Sequence, residues 1–71
     1  METTTQAQII ESIKHHRVTQ ELTQKEVAAR MGCNVSFVQA LEYRKVDRRW
    51  STIVKYATAV GVALKVEVVS E

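Results

Sequence analysis

One segment near the middle of the chain, residues 22–43, restricts the possible folds more than any other. It begins with a capping box, Thr23-Gln-Lys-Glu26, in which two side chains satisfy backbone donors at the start of a helix. Gly32 follows the apolar positions of that helix and suits a left-handed C-terminal cap, and Asn34 is a good N-cap for the next helix. The pattern therefore predicts two short helices joined by a tight turn, which is a helix-turn-helix unit.

The two predicted helices have distinct inner and outer faces. Helical periodicity assigns residues 23–31 to the second helix of the chain and residues 35–43 to the third. In the third helix this spacing turns Val38 and Leu41 inward, against the second helix. The outward positions are Val35, Ser36, Gln39 and Ala40.

A helix is predicted on each side of this unit. The first opens at Thr5, where Thr5 and Gln8 form another capping box, and continues to about Val18. Its predicted inner face consists of Ile9, Ile10, Ile13, His16 and Arg17. The fourth is ended by Gly61, and its predicted inner face consists of Trp50, Ile53, Val54, Ala57 and Val60.

With 45% hydrophobic and 25% charged residues and no proline, the chain has the composition of a folded globular protein.

The periodicity changes after Gly61. Apolar and polar residues alternate over residues 62–69, which predicts a β-strand with one apolar face. Because a single strand leaves its backbone groups unpaired, we expect it to pair with its copy in a homodimer. The residues assigned to this interface are Leu64, Val66 and Val68. The alternative is an irregular tail that packs back on the first helix.

The charge of the chain is unevenly distributed. The net charge of +2 is weak evidence for any partner, but residues 44–49 contain four cations and one anion. A local surplus of this kind fits either a contact with nucleic acid or a solvated loop.

The residues offer no set for catalysis or for a metal. Cys33 is the single cysteine, and the neighbouring His15 and His16 diverge on a helix, with His16 expected partly buried and His15 solvated. We therefore predict no enzyme activity, no cofactor and no metal site.

No apolar run approaches the roughly 18 residues that span a bilayer, and no secretory signal is recognised, so a cytoplasmic protein without membrane contact is expected.

Residues 22–43 closely resemble the helix-turn-helix of the phage repressor and Cro class, the xenobiotic-response-element-like regulators. The positions that carry the resemblance are Gln24, Ala28, Gly32, Val38 and Leu41. A weaker match extends over the first helix and residues 50–61. The resemblance implies a mainly all-α, lambda-repressor-like domain of four to five helices over residues 1–61. Residues 62–71 would replace the usual fifth helix with a dimerisation strand, as in antitoxin-type members.

The family also implies an internal ion pair, which maps onto Arg17 and Glu42. An exposed Arg17 that contacts a DNA phosphate is the alternative. Of the matched positions, Ala28, Gly32, Val38 and Leu41 have structural roles and are not expected to contact DNA. The chain departs from the family at Arg44, where a glycine or asparagine is usual, so the geometry of the following loop is open.

The resemblance places the third helix in the major groove of DNA. Base-edge contacts are assigned to Val35, Ser36, Phe37, Gln39 and Ala40, with packing against the second helix as the alternative for Phe37. Gln39 is the main candidate for direct readout, because a carboxamide pairs with adenine N6 and N7. Contacts to phosphates or the minor groove are assigned to Gln24, Lys25, Asn34, Tyr43, Arg44, Lys45, Arg48 and Arg49.

These expectations describe a homodimeric, nucleoid-associated transcriptional repressor that binds a near-palindromic operator in double-stranded DNA. Two alternatives remain open. The chain is an antitoxin that also regulates its own promoter and binds a toxin or another regulatory protein, or it is a protein-interaction module that has lost DNA contact.

Overall fold

Four α-helices account for most of the residues that the computed structural model describes, which are 6–44 and 49–64. In chain order they are α1 (Gln6–Thr19), α2 (Gln24–Met31), α3 (Val35–Gln39) and α4 (Trp50–Val60), and a π-helical turn, Ala40–Arg44, directly follows α3. No strand occurs within these residues. The mainly helical architecture predicted from the sequence is therefore confirmed for the described part of the chain.

The turn between α2 and α3 has the predicted local structure. Thr23 accepts a hydrogen bond from the backbone N–H of Glu26 at 3.0 Å, and its hydroxyl donates to the Glu26 carboxylate at 3.2 Å. Gly32 ends α2 with a φ of 72°, in the left-handed region that glycine adopts most easily. Asn34 caps α3 by accepting from the backbone N–H of Phe37 at 2.9 Å. The two helices consequently meet through three fixed residues.

The third helix differs from the prediction at its C-terminal end. Regular α-helix ends at Gln39, and the chain continues as the π turn instead of an α-helix to Tyr43. A π turn has more residues per turn than an α-helix, so consecutive side chains point in more similar directions. Leu41 and Glu42, which are neighbours in sequence, are accordingly both buried.

The core lies where α1, α2, α3 and α4 meet. Val38 and Leu41 are fully buried in it, as predicted, and Ala28 is also buried where α2 packs against α3. Besides these three, the buried apolar residues are Ile10, Ile13, Val27, Ile53, Tyr56, Ala57, Ala59 and Val60. Arg30 links two of the helices, because its guanidinium donates to the Ala59 carbonyl near the end of α4 at 2.9 Å.

The predicted inner face of α4 is partly wrong. Trp50 and Val54 are 49% and 50% exposed, whereas Tyr56 and Ala59 are buried in their place. Apolar residues surround more than half of this helix, so their spacing permits more than one rotation about its axis. The observed rotation lets the Tyr56 hydroxyl reach a buried acceptor, Glu42.

The inner face of α1 is narrower than predicted. Ile10, Ile13 and Arg17 are buried and Ile9 is half-buried, but His16 is exposed, which corrects the expectation of a partly buried histidine. His15 is exposed, as expected. The predicted cap, Thr5, lies outside the described residues, and the helix continues to Thr19, one residue past the predicted end.

The backbone turns back toward α4 directly after this helix ends. Gly61 has a φ of 93°, and the backbone N–H of Val62 donates to the Ala57 carbonyl at 2.9 Å, which turns the chain back toward the helix. Residues 62–64 are irregular, and Val62 and Leu64 pack half-buried against the core. The predicted strand is thus not confirmed over residues 62–64, and Leu64 contacts its own domain. Val66, Val68 and the rest of the predicted strand lie outside the described residues.

Candidate nucleic-acid interface

The outer surface of α3 and of the π turn forms an open concavity. Its volume is about 490 Å³, and the lining residues are Ser36, Gln39, Ala40 and Tyr43. Ser36 and Gln39 are exposed, Ala40 is half-buried and Tyr43 is 57% exposed. Val35, at the start of the same helix, is also exposed. Four of the five predicted base contacts thus lie at or beside one surface, and none of the described residues that line the concavity is acidic.

Phe37 is the fifth predicted base contact, and it lies elsewhere. Its half-buried ring lines a separate cleft between the α2–α3 turn and α4. The other residues of this cleft are Met31, Gly32, Cys33, Thr52 and Lys55. The geometry therefore favours the packing alternative for Phe37 over contact with a base.

A buried ion pair supports the inner side of this surface. Arg17 Nε donates to Glu42 Oε2 at 2.8 Å and Arg17 Nη2 donates to Glu42 Oε1 at 3.0 Å, in a bidentate arrangement. Arg17 is 8% exposed and Glu42 is 5% exposed. The third guanidinium nitrogen, Nη1, donates to the Leu22 carbonyl at 2.9 Å. The pair that the family resemblance implied is present, and the alternative of an exposed Arg17 is wrong.

Two further side chains donate to the same carboxylate. The Tyr56 hydroxyl donates to Glu42 Oε2, and Gln24 Nε2 donates to Glu42 Oε1 at 3.0 Å. Sequence reasoning missed Tyr56 in this role. The buried ion pair is the feature from which a further donor such as Tyr56 could have been predicted, because a buried carboxylate requires more donors than one arginine supplies.

This cluster shifts the pKa values of its members. Burial alone would raise the pKa of Glu42, but hydrogen bonds from Arg17, Tyr56 and Gln24 outweigh burial, and the pKa lies below its ordinary value. Burial lowers and the bonded carboxylate raises the pKa of Arg17, with a net increase. For Tyr56, burial and the adjacent carboxylate both raise the pKa. All three shifts favour a charged pair and a neutral tyrosine.

The ionised carboxylate also orients two amides. Because Glu42 can only accept, Gln24 turns its NH₂ group inward and its amide oxygen outward. That oxygen accepts a long hydrogen bond, 3.5 Å, from Gln39 Nε2 on the exposed surface. Gln39 is left with its amide oxygen and one N–H for an external partner. Gln24, predicted to contact phosphate, is half-buried and links the polar cluster to the outer surface.

Besides Gln24 and Tyr43, the predicted phosphate contacts fall into three groups. Lys25 and Arg49 are exposed, at the starts of α2 and α4. Asn34 uses its side-chain oxygen as the α3 cap, so only its NH₂ group remains for DNA. Arg44 lies at the end of the π turn, and Lys45 and Arg48 lie outside the described residues.

A lysine that the sequence analysis did not select lies beside this surface. The Lys14 ammonium nitrogen is 4.3 Å from the centre of the Tyr43 ring, within the range of a cation–π contact. Lys14 belongs to α1 and is half-buried. The sequence did not indicate this contact, because Tyr43 lies 29 positions after Lys14.

Within residues 6–44 and 49–64, no group of three or more His, Cys, Asp or Glu side chains is arranged to hold a metal ion. Cys33 is half-buried and free, and burial raises the pKa of its thiol while Lys55 partly opposes that effect. Among the same residues, no helix has the length and apolar character needed to cross a membrane.

Comparisons with known proteins add no relative of this chain. Neither protein-family models nor curated proteins nor solved structures match it. The functional interpretation consequently depends on the residues and the geometry described above.

Proposed function

We propose that this protein binds double-stranded DNA sequence-specifically by placing α3 in the major groove. The observation that carries the proposal is the outer surface of α3. It is exposed, none of the described residues that line it is acidic, and buried residues hold the helix in place on its inner side. The major groove of B-form DNA is about 12 Å wide and admits one α-helix. The capped turn and the buried residues Val38 and Leu41 fix the helix, so its outer side chains are presented without further folding.

The finer architecture that we propose is a lambda-repressor-like helix-turn-helix domain. The three-residue turn, the left-handed Gly32 and the Arg17–Glu42 pair each support it. We further propose that the protein acts as a homodimeric repressor at a near-palindromic operator, in the cytoplasm and associated with the nucleoid. Two recognition helices would then meet half-sites about 34 Å apart, which is one turn of the duplex.

Gln39 is the proposed reader of an adenine. Its amide keeps one acceptor and one donor pointing outward, and adenine offers the matching N6 donor and N7 acceptor in the major groove. Guanine presents two acceptors at the same positions, so it fits this amide less well. Apolar contact with a thymine methyl group is proposed for Val35 and Ala40.

Selection of bound duplexes from a random pool tests the proposal directly. We expect a two-fold symmetric consensus with an adenine in each half-site. Gln39→Ala should lose about 1–3 kcal/mol of discrimination at one base pair per half-site. Arg48→Ala should weaken all sequences about equally and reduce the salt slope by about 1 for each subunit in which it contacts one phosphate.

Two results would contradict the proposal. Equal losses on every sequence from both substitutions would show that Gln39 reads no base. Amide resonances of residues 35–39 that do not move when duplex fragments are added at low salt would exclude α3 as the binding element. A stable complex with a copurified protein that prevents DNA binding would instead support the antitoxin or the interaction-module alternative.

A further inference from the structure

Lys14 places a positive charge at the edge of the proposed DNA-binding surface. It lies on α1, outside residues 22–43, yet its ammonium nitrogen lies 4.3 Å from the centre of the Tyr43 ring. Tyr43 in turn lines the concavity together with Ser36, Gln39 and Ala40. The fold therefore brings a cation from the first helix to the C-terminal end of the recognition surface.

This charge is not neutralised by a carboxylate in the described part of the chain. The ion pair found there joins Arg17 to Glu42, and Lys14 has no acidic oxygen within 4.0 Å among the same residues. Glu11 is one helical turn before Lys14 on α1, but it is exposed and does not pair with it. The ammonium group thus retains donors and charge for an external anion.

The Tyr43 ring gives this lysine a defined position. A lysine side chain on a surface samples many rotamers, and fixing them on binding costs free energy. A cation–π contact restricts those rotamers before the ligand arrives, and such contacts contribute about 0.5–1 kcal/mol at exposed sites. Tyr43 is itself more than half exposed, so the contact lies at the protein surface.

We propose that Lys14 binds a DNA backbone phosphate next to the C-terminal end of α3, and that Tyr43 is its positioning residue. The proposal rests on the proposed function. It extends the contact with the duplex from the helix-turn-helix unit to α1. A lysine ammonium group acts as a point charge toward a phosphodiester oxygen, so the contact adds affinity and no sequence preference.

The salt dependence of Lys14→Gln measures this contact. Dissociation constants for the selected duplex are determined by fluorescence anisotropy over a series of salt concentrations. The proposed dimer loses one phosphate contact in each subunit, which lowers the slope of log K against log[salt] by about 1.8 and amounts to about 60-fold weaker binding at 0.1 M if the two lines meet at 1 M. Lys14→Arg keeps the charge and should keep the slope.

Lys55→Gln is the matched control. Lys55 is an exposed lysine of α4 that lines the cleft beside Phe37, away from the concavity. Its replacement changes the net charge by the same amount and should change the slope much less than Lys14→Gln. Thermal unfolding of both variants followed by circular dichroism shows whether each remains folded at the assay temperature.

A double-mutant cycle tests the role assigned to Tyr43. Tyr43→Phe keeps an aromatic ring under the ammonium and should leave the effect of Lys14→Gln intact, whereas Tyr43→Leu should reduce it. Equal effects of Lys14→Gln in all three backgrounds would overturn the positioning role.

The outcomes separate this proposal from the one on which it rests. If the unchanged chain binds no duplex at low salt, both proposals fail. If it binds and Lys14→Gln has the same slope as Lys55→Gln, DNA binding stands and only the role of Lys14 is overturned.

Discussion

Glu42 is hydrogen-bonded to side chains from three helices of the fold. Its carboxylate accepts from Arg17 of α1, Gln24 of α2 and Tyr56 of α4, while the residue itself belongs to the π turn after α3. A single buried charge thus links the π turn after α3 to each of the other three described helices. Removing one partner of a buried pair leaves an uncompensated charge, which typically costs about 3–5 kcal/mol.

The lowered pKa of Glu42 predicts a specific loss of stability in acid. In the unfolded chain the carboxyl has its ordinary pKa of 4.5, and in the folded protein the pKa lies below that value. Its contribution is therefore complete above pH 4.5 and is lost as the pH falls through the folded pKa. Urea unfolding of the wild-type chain between pH 7 and pH 2.5 should show this decrease in the free energy of unfolding.

Glu42→Gln is the comparison for that measurement. The variant should be less stable at pH 7, because Arg17 loses its anionic partner. Between pH 4.5 and pH 2.5 its free energy of unfolding should change less than that of the wild type, since the titrating group is gone. Parallel pH profiles for the two proteins would show that other carboxylates cause the acid sensitivity.

Single residues also show where prediction from the sequence stops. The Arg17–Glu42 pair was expected because the family resemblance supplies both positions together. The hydrogen bond from Tyr56 to Glu42 was not expected. The two residues are 14 positions apart, and the placement of Tyr56 depends on how α4 rotates against the π turn. The contact between Lys14 and Tyr43 is of the same kind, since it exists only once α1 has packed on the turn.

At the scale of elements, the sequence predicted features that depend on a few neighbouring residues. It did not predict features that depend on contacts between helices. The caps at Thr23, Gly32 and Asn34 were predicted correctly, because each depends on a few consecutive residues. The π turn and the exposure of Trp50 and Val54 were missed. Both depend on which side chains the other helices present, which periodicity within one helix does not contain.

Gly32 provides a prediction for the turn. Space is open around the position of an added Cβ, so the cost of Gly32→Ala comes from its φ of 72° and not from a clash. We expect a loss of about 1–2 kcal/mol in the free energy of unfolding, the usual penalty for an L-residue in the left-handed region. Gly32→Asn should cost less, because asparagine adopts this region more readily. Equal losses for the two variants, measured by urea denaturation, would contradict a purely conformational cause.

At the scale of the whole molecule, the homodimer stays a prediction. The described helices enclose one core, and Val62 and Leu64 pack half-buried against it. The alternation of Val66 and Val68 with charged residues is the remaining sequence evidence for a paired strand.

Sedimentation equilibrium can decide this question. We expect the wild-type chain to be a dimer at micromolar concentration, and the double variant Val66→Glu, Val68→Glu to be a monomer that binds DNA more weakly. Lys65→Glu, which alters the opposite face of the predicted strand, is the control and should remain dimeric. A monomeric wild-type chain, or a double variant that still dimerises, would exclude pairing through this face.

Trp50 is the single tryptophan of the chain, and the rotation of α4 leaves about half of its surface in contact with solvent. It directly follows the basic residues 44–49. The fold consequently places the one indole fluorophore of the chain directly beside the residues most attractive to a polyanion. Emission from this indole offers an optical signal that requires no dye, no tag and no change to the sequence.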